Sequence, residues 1–261
     1  MKIIAVTNQK GGVGKTTTAV NLAYFFAKNQ HLRVLLVDFD PQGNATSGLG
    51  IDKQKLKSHD NLQGKPTIVD AISGEKEFRE IVVHTKFKRL DVAPANPSLA
   101  DAEVGLASDP RRFAKLRDLL ATVREDYDIV LVDSPPSLSL LTVNSLVAAN
   151  CILLPLQAEF YALEGLGQLL ETMQVVHKGL NPTLEILGVL VTMFDSRTAL
   201  SREVYAEVEK HFPGKVLSTK IPRNVRLAEA PSHGLPVGDY DKFSKGARAY
   251  KSAAEEIFAK I

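Results

Sequence analysis

Lys2-Ile3-Ile4-Ala5-Val6-Thr7-Asn8-Gln9-Lys10-Gly11-Gly12-Val13-Gly14-Lys15-Thr16-Thr17 is the stretch on which the fold turns. A short β-branched run breaks into Gly11, Gly12 and Gly14, then passes into a segment with helical spacing. Glycines there let successive backbone N–H groups turn inward, a lysine meets the outer phosphates of a nucleotide, and a threonine hydroxyl suits Mg²⁺. The N-terminus of the following helix adds its partial positive charge at the same point. The stretch reads as a phosphate-binding loop between a strand and a helix. It departs from the usual pattern in one respect: Gln9 stands five residues before Gly14, where a glycine is usual, and a second lysine, Lys10, follows it.

Outward from this loop, short apolar runs alternate with longer segments of helical spacing. Strands are expected at Ile3–Thr7, Val34–Asp38, Leu90–Ala93, Ile129–Asp133, Cys151–Leu156, Ile186–Thr192 and Val216–Thr219. Runs such as Val34-Leu35-Leu36-Val37 are apolar on both faces, as in a strand buried within a parallel sheet. Helices are expected at Lys15–Lys28, Pro110–Arg124, Leu138–Ala149, Ala162–Lys178, Ala199–His211 and Ser244–Lys260. The alternation predicts an α/β fold: a doubly wound, mostly parallel sheet with helices on both faces and ligands at the carboxyl ends of its strands. A single domain over 1–261 is the simplest organisation. The polar, Lys-rich stretch from Gly50 to Lys65 is expected to be a mobile surface excursion.

Two acidic positions belong to the same edge. Val34 to Val37 leads into Asp38-Phe39-Asp40-Pro41, and Ile129 to Val132 leads into Asp133-Ser134-Pro135-Pro136. In a parallel sheet these carboxylates emerge beside the phosphate loop, where they can hold metal-bound water or orient an attacking one. An aspartate capping the turn after its strand is the plainer alternative for either site taken alone.

Composition bounds the rest. The chain has 261 residues, 44% hydrophobic and 24% charged, with a formal net charge of +2, which excludes a disordered or fibrous protein. Its one cysteine, Cys151, cannot form an internal disulfide or a Cys-rich cluster site and points to a reducing compartment. No apolar run approaches the roughly 18 residues of a membrane span, and Met1 leads straight into a strand without a signal-peptide pattern. The six histidines show no metal-ligand spacing. From Leu190 to Lys251 there are 11 Lys and Arg against 7 Asp and Glu, a local basic bias compatible with sequence-independent phosphate contact.

The loop with its extra lysine, the stretch Asp38-Phe39-Asp40-Pro41-Gln42-Gly43-Asn44-Ala45-Thr46 and Asp133-Ser134-Pro135-Pro136 together resemble the ParA/MinD group of P-loop ATPases. Within that group, whose loop is the deviant Walker A type, the chain is similar to the chromosomal ParA proteins also called Soj. Segments Pro155 to Leu166 and Ile221 to Gly234 carry the same resemblance, which runs from Lys2 to the C-terminal helix. The strand starting at Lys2 leaves no room for the N-terminal DNA-binding extension of the larger plasmid ParA proteins, so operator-specific repression is not expected.

The resemblance implies ATP and Mg²⁺ as cofactors, and roles follow residue by residue. Within the loop Lys10, Gly11, Gly12, Val13, Gly14, Lys15, Thr16 and Thr17, it implies that Lys15 binds the outer phosphates, Thr16 ligates Mg²⁺ and Thr17 reaches the α-phosphate. Lys10 matches the signature lysine that crosses an ATP-bound homodimer to the partner's nucleotide, and Gly12 matches a position kept small for close dimer approach. Asp40 matches the aspartate that positions the hydrolytic water, and Asp38 and Asp133 match metal-associated positions. Thr192, Pro222, Arg223 and Asn224 resemble the adenine-side loops. Arg197 and Arg226 match arginines used on double-stranded DNA without sequence specificity, and Lys242, Lys245 and Arg248 lie in the same basic stretch. The implied function is chromosome or plasmid partitioning in the cytoplasm, on the nucleoid, with hydrolysis stimulated by a ParB-type centromere-binding protein. Two alternatives stay open: a MinD-like membrane-cycling ATPase, and an ATP-gated DNA-binding switch with negligible turnover. Ala247, Tyr250, Ala254, Ile257, Phe258 and Ile261 recur at helical spacing near the C-terminus and are expected to face the core rather than a membrane.

Overall fold

The structure, a computed structural model, describes residues 1–58, 60–159 and 166–261. Its strands are β1 (Lys2–Val6), β2 (Val34–Asp38), β3 (Val83–His84), β4 (Leu90–Ala93), β5 (Ile129–Asp133), β6 (Cys151–Gln157) and β7 (Glu185–Thr192). They form one sheet in the order β3-β4-β2-β5-β1-β6-β7. Every pairing is parallel except that of β3 with β4 at one edge. The expected doubly wound sheet is present, and β1, which feeds the phosphate loop, lies between β5 and β6.

Alternation along each strand divides the apolar residues between two cores. Ile3, Ala5, Leu35, Val37, Val130 and Val132 face one side, where they meet helices such as Leu140–Ala148 and Ala199–His211. Ile4, Val6, Val34, Leu36, Ile129 and Leu131 face the other, against helices Lys15–Asn29 and Lys245–Phe258. Burial on both faces explains why these strands read as unbroken apolar runs. Pro155 sits inside β6 because β1 pairs with β6 only as far as Leu153, so the amide that proline lacks is not needed there.

One expected strand is absent. Val216–Thr219 contributes a single bridge, Val216 to Val189, instead of a strand. The reason is a contact distant in sequence: the Ser218 and Thr219 amides donate to the Glu256 carboxylate at 2.7 and 2.9 Å and so are not given to β7. The helix expected at Pro110–Arg124 is regular only over Lys115–Ala121. The stretch from Gly50 to Lys65 is anchored: Leu56 is buried, and the Lys57 ammonium donates at 2.6 Å to both Asp70 and Glu75. The first residues of the helix expected at Ala162–Lys178, and His59, lie outside the described residues; the helix is described over Leu166–Gly179.

Two glycines lock distant loops together. Gly50 and Gly234 have φ values of 82° and 63°, and a Cβ built on Gly234 would lie 2.6 Å from the Gly50 Cα. No side chain fits between them. In the last helix Ala247, Tyr250, Ala254 and Ile257 are buried as expected, but Phe258 and Ile261 are exposed, since the helix ends at Phe258 beyond the reach of the sheet.

Candidate nucleotide site

The loop between β1 and helix Lys15–Asn29 takes its shape from three fixed points. Gly12 and Gly14 have φ values of 76° and 89°, a region costly for any side chain. Gly14 caps the helix without a side-chain hydrogen bond, which leaves the first-turn amides available to an anion. The Asn8 amide donates to the Pro155 carbonyl at 2.7 Å, and its side-chain oxygen accepts from the Lys10 amide at 3.0 Å. The Thr192 hydroxyl, at the end of β7, donates to the Val13 carbonyl at 2.8 Å. A Cβ on Gly12 would meet nothing within 4 Å, so within one chain the backbone angle, not space, constrains this position.

Lys15 is buried, and its ammonium donates to the Lys10 carbonyl at 3.1 Å. Burial pulls its pKa below the usual lysine value, while the nearby Asp133 and Asp40 carboxylates act in the opposite sense. A desolvated cation held by few partners is suited to a multiply charged phosphate.

The two strand-end carboxylates share a rung, Asp38 opposite Asp133, but differ in partners. Asp38 accepts from the backbone N–H and the hydroxyl of Thr46, both at 2.7 Å. That clasp folds the turn carrying Asp40, whose own carboxylate accepts from the Gln42 amide at 2.9 Å. Asp133 is fully buried, and neither of its oxygens has a hydrogen-bond partner among the described residues; the neighbouring Ser134 hydroxyl is equally unpartnered. Thr16 is close enough to favour the charged form of Asp133 without completing a hydrogen bond, and burial raises the pKa well above the usual carboxylate value. Burial also pushes Asp38 up, to about 6, against the opposing Thr46 bonds.

An orphaned, buried carboxylate beside a threonine hydroxyl fits a hard cation with oxygen ligands. Among the described residues no three His, Cys, Asp or Glu side chains gather into an all-protein metal cage. This accords with Mg²⁺, which keeps water and phosphate oxygens as most of its ligands.

A cleft of about 270 Å³ opens beside Gly14 and Thr17 and is lined by Thr192, Pro222, Arg223 and Asn224, so the loops expected on the adenine side do gather at the phosphate loop. Met193, also in its wall, has a φ of 52°, a strained value of the kind that collects at functional sites. The buried Tyr250 hydroxyl pairs with the Thr18 hydroxyl at 3.0 Å and ties the last helix to the phosphate loop. Glu159 is a residue to which sequence reasoning gave no role: it lies 3.7 Å from the Lys10 ammonium and 3.6 Å from the Arg223 guanidinium. Only its place in the segment that follows β6 hinted at it.

The basic residues expected on DNA are distributed differently. Arg197 is bound by both oxygens of Asp195, whose pKa is held down at about 2. Arg226 is bound by Glu229 at 2.7 Å and Asp241 at 3.4 Å. Lys242 lies over the Phe243 ring, which is 77% exposed. Lys245 and Arg248 occupy the first turns of the last helix.

A strand, a glycine loop capping a helix, a desolvated lysine and strand-end carboxylates define a P-loop ATPase of the α/β class. A family model described as "AAA domain" matches residues 1–186. The chain is 50% identical to the sporulation initiation inhibitor protein Soj of Bacillus subtilis, over 99% of this chain and 98% of that one. It is 48% identical to the chromosome partitioning protein ParA of Myxococcus xanthus, over 98% and 87%. Among solved structures, cobyrinic acid a,c-diamide synthase from Mycobacterium smegmatis, with a bound ATP analogue and magnesium, is 38% identical. It superposes with a TM-score of 0.86 over 99% of this chain and 94% of that one. The chain belongs to the Soj/ParA family of chromosome-partitioning ATPases.

Proposed function

We propose that the protein is a Mg²⁺-dependent ATPase that closes a homodimer around ATP, binds double-stranded DNA without sequence specificity in that state, and releases it after hydrolysis. The observation that supports this most directly is the meeting of Lys15, Asp40 and the unpartnered Asp133 at one sheet edge, beside an uncapped helix N-terminus. Lys15 neutralises the outer phosphates, and the Gly11 to Thr17 amides cradle them. Thr16 and Asp133 would hold Mg²⁺, with Asp38 ordering the Asp40 turn. When bound, the cation offsets charge on the phosphate oxygens. Asp40 orients the attacking water, and Thr192, Pro222, Arg223 and Asn224 flank the base. Lys10 reaches the partner's nucleotide, so the dimer is stable only while the γ-phosphate is intact.

Arg197, Arg226, Lys242, Lys245 and Arg248 supply phosphate contacts once two copies combine their charge. A ParB-type partner at a centromere-like site would accelerate hydrolysis, and the protein would act in the cytoplasm on the nucleoid. The membrane-cycling reading has less support: the apolar face of the last helix is mostly buried against the sheet. Among the described residues no helix is long and apolar enough to cross a membrane. The deciding experiment measures DNA binding with ATP, ADP and no nucleotide across a salt series, alongside phosphate release. Retention on DNA with ATP alone is expected; equal binding in all three states would overturn the reading.

A further inference from the structure

At the edge of the sheet opposite the phosphate loop, where β2 and β4 begin, lies a cleft of about 390 Å³ that the ATPase reading does not use. It is built from the end of helix Lys15–Asn29, the turn that follows, and the turn that precedes β4. Lys28, Lys86, Lys88 and Arg89 line it and are all exposed. Among the described residues none of the four has a carboxylate within ion-pair distance. Arg197 and Arg226, by contrast, are both neutralised by neighbouring carboxylates. Four cations against the single carboxylate of Asp239 leave the cleft with excess positive charge, an arrangement stabilised by an anion.

The backbone at this cleft is strained. His31 and Arg89 have φ values of 56° and 66°, unusual for residues other than glycine and most of all for arginine. The two are joined directly, since the Arg89 guanidinium donates to the His31 carbonyl. Strain of this kind persists where the surroundings impose it, commonly at ligand sites. The Lys28 ammonium donates to the Tyr24 hydroxyl at 2.5 Å, and Lys86 lies over the Phe87 ring at 5.3 Å, so both are held at the aromatic wall of the cleft.

Position favours one occupant. Asp239, which also lines the cleft, belongs to the short helix Val237–Tyr240, and three residues further on is Lys242, the first of the basic residues leading into the last helix. The cleft and that basic stretch flank a single short segment. Cations distributed over two elements, without ion-pair partners among the described residues, suit a repeating phosphodiester better than a single acidic side chain.

We infer that the cleft lined by Lys28, Lys86, Lys88 and Arg89 is a second contact site for the phosphate backbone of double-stranded DNA, continuing the surface that begins at Lys242. The inference rests on the DNA-binding reading above. Its test uses the full chain carrying Lys86→Glu and Lys88→Glu, with Lys86→Gln and Lys88→Gln as the milder pair, and a short fluorescein-labelled duplex. ATP-dependent dimerisation and basal phosphate release are expected to match wild type. DNA affinity should fall at least about tenfold, and the slope of log affinity against log salt should flatten by roughly two per chain for the two lost contacts. Wild-type binding to DNA with unchanged affinity and slope in both variants would overturn this site alone. A wild-type protein that fails to bind DNA with ATP would overturn the DNA-binding reading itself, and this inference with it. Competition by poly-glutamate, sensitive to Lys86 and Lys88 while DNA binding is not, would assign the cleft to an acidic polypeptide instead.

Discussion

Asp38 and Asp133 stand on the same rung of neighbouring buried strands, yet Thr46 satisfies the first and, among the described residues, no hydrogen bond satisfies the second. Two carboxylates so placed cannot both ionise without cost. Folding raises the Asp38 pKa to about 6 from an ordinary 3.8, so between those values the folded chain binds more protons than the unfolded one. Stability contributed by this group is therefore greatest below about pH 4 and declines as pH rises through 6. For the nucleotide-free protein the loss is on the order of 3 kcal/mol. Denaturant unfolding across pH 4.5 to 7 is expected to show this fall on the order of 1–3 kcal/mol, and Asp38→Asn should flatten it. Mg²⁺ with nucleotide should flatten it too, by favouring the ionised pair.

On the proposed roles, substitutions at Lys15 and Asp40 should separate binding from chemistry. Lys15→Ala removes the buried cation, so nucleotide binding, dimerisation and DNA retention should be lost together, by about a hundredfold or more. Asp40→Ala should keep nucleotide and lose the oriented water, cutting phosphate release about 10²–10³-fold while the DNA-bound dimer accumulates. Paired nucleotide-binding and phosphate-release assays distinguish the two, and undiminished phosphate release by Asp40→Ala would pass the role to another carboxylate.

Much of this was legible in the chain itself, for a physical reason. Strands buried on both faces write continuous apolar runs, so β2, β4 and β5 match their expected limits, and the phosphate loop is contiguous in sequence. Val216–Thr219 has the right residues for a strand but loses its amides to Glu256, 37 and 38 positions away, which no local pattern reveals. The clasp of Asp38 by Thr46 and the cationic cleft likewise depend on loops that only the fold brings together. Short helices such as Ile68–Ser73 span too few turns to show a period.

Asp195 and Glu229 are sequence neighbours of the arginines expected on DNA, Asp241 is brought to Arg226 by the fold, and these pairings change what a substitution should do. Arg226→Ala should weaken binding to all DNA sequences alike and flatten the salt dependence by roughly one per contact. Asp241→Asn should act oppositely, strengthening binding a few-fold at low salt by removing one of the two carboxylates that neutralise Arg226, with dimerisation unchanged. Filter binding at several salt concentrations checks both, and equal behaviour of the two variants would remove Arg226 from the DNA surface.

Glu159 draws Lys10 and Arg223 toward a single carboxylate within one chain. If Lys10 must reach a partner's nucleotide, this pairing competes with that reach. The ion pair is half-exposed and worth roughly 0–1 kcal/mol. Glu159→Gln should therefore promote ATP-dependent dimerisation up to about fivefold, read by analytical ultracentrifugation, with single-chain nucleotide affinity little changed. Unchanged or weaker dimerisation would show that Glu159 steadies the loop instead.

The contact between Gly50 and Gly234 bears on how a chemical event at one end of the molecule is felt elsewhere. Gly50 closes the helix that begins at Asn44, directly behind the Asp40 turn, while Gly234 ends the segment that follows Arg226. Because backbone abuts backbone with no side chain between, the joint has no compressible element to absorb a displacement. A displacement of the Asp40 turn would therefore be passed across this contact toward the segment after Arg226 and not absorbed there. A methyl group at Gly234 would meet the Gly50 backbone at 2.6 Å and wedge the joint apart.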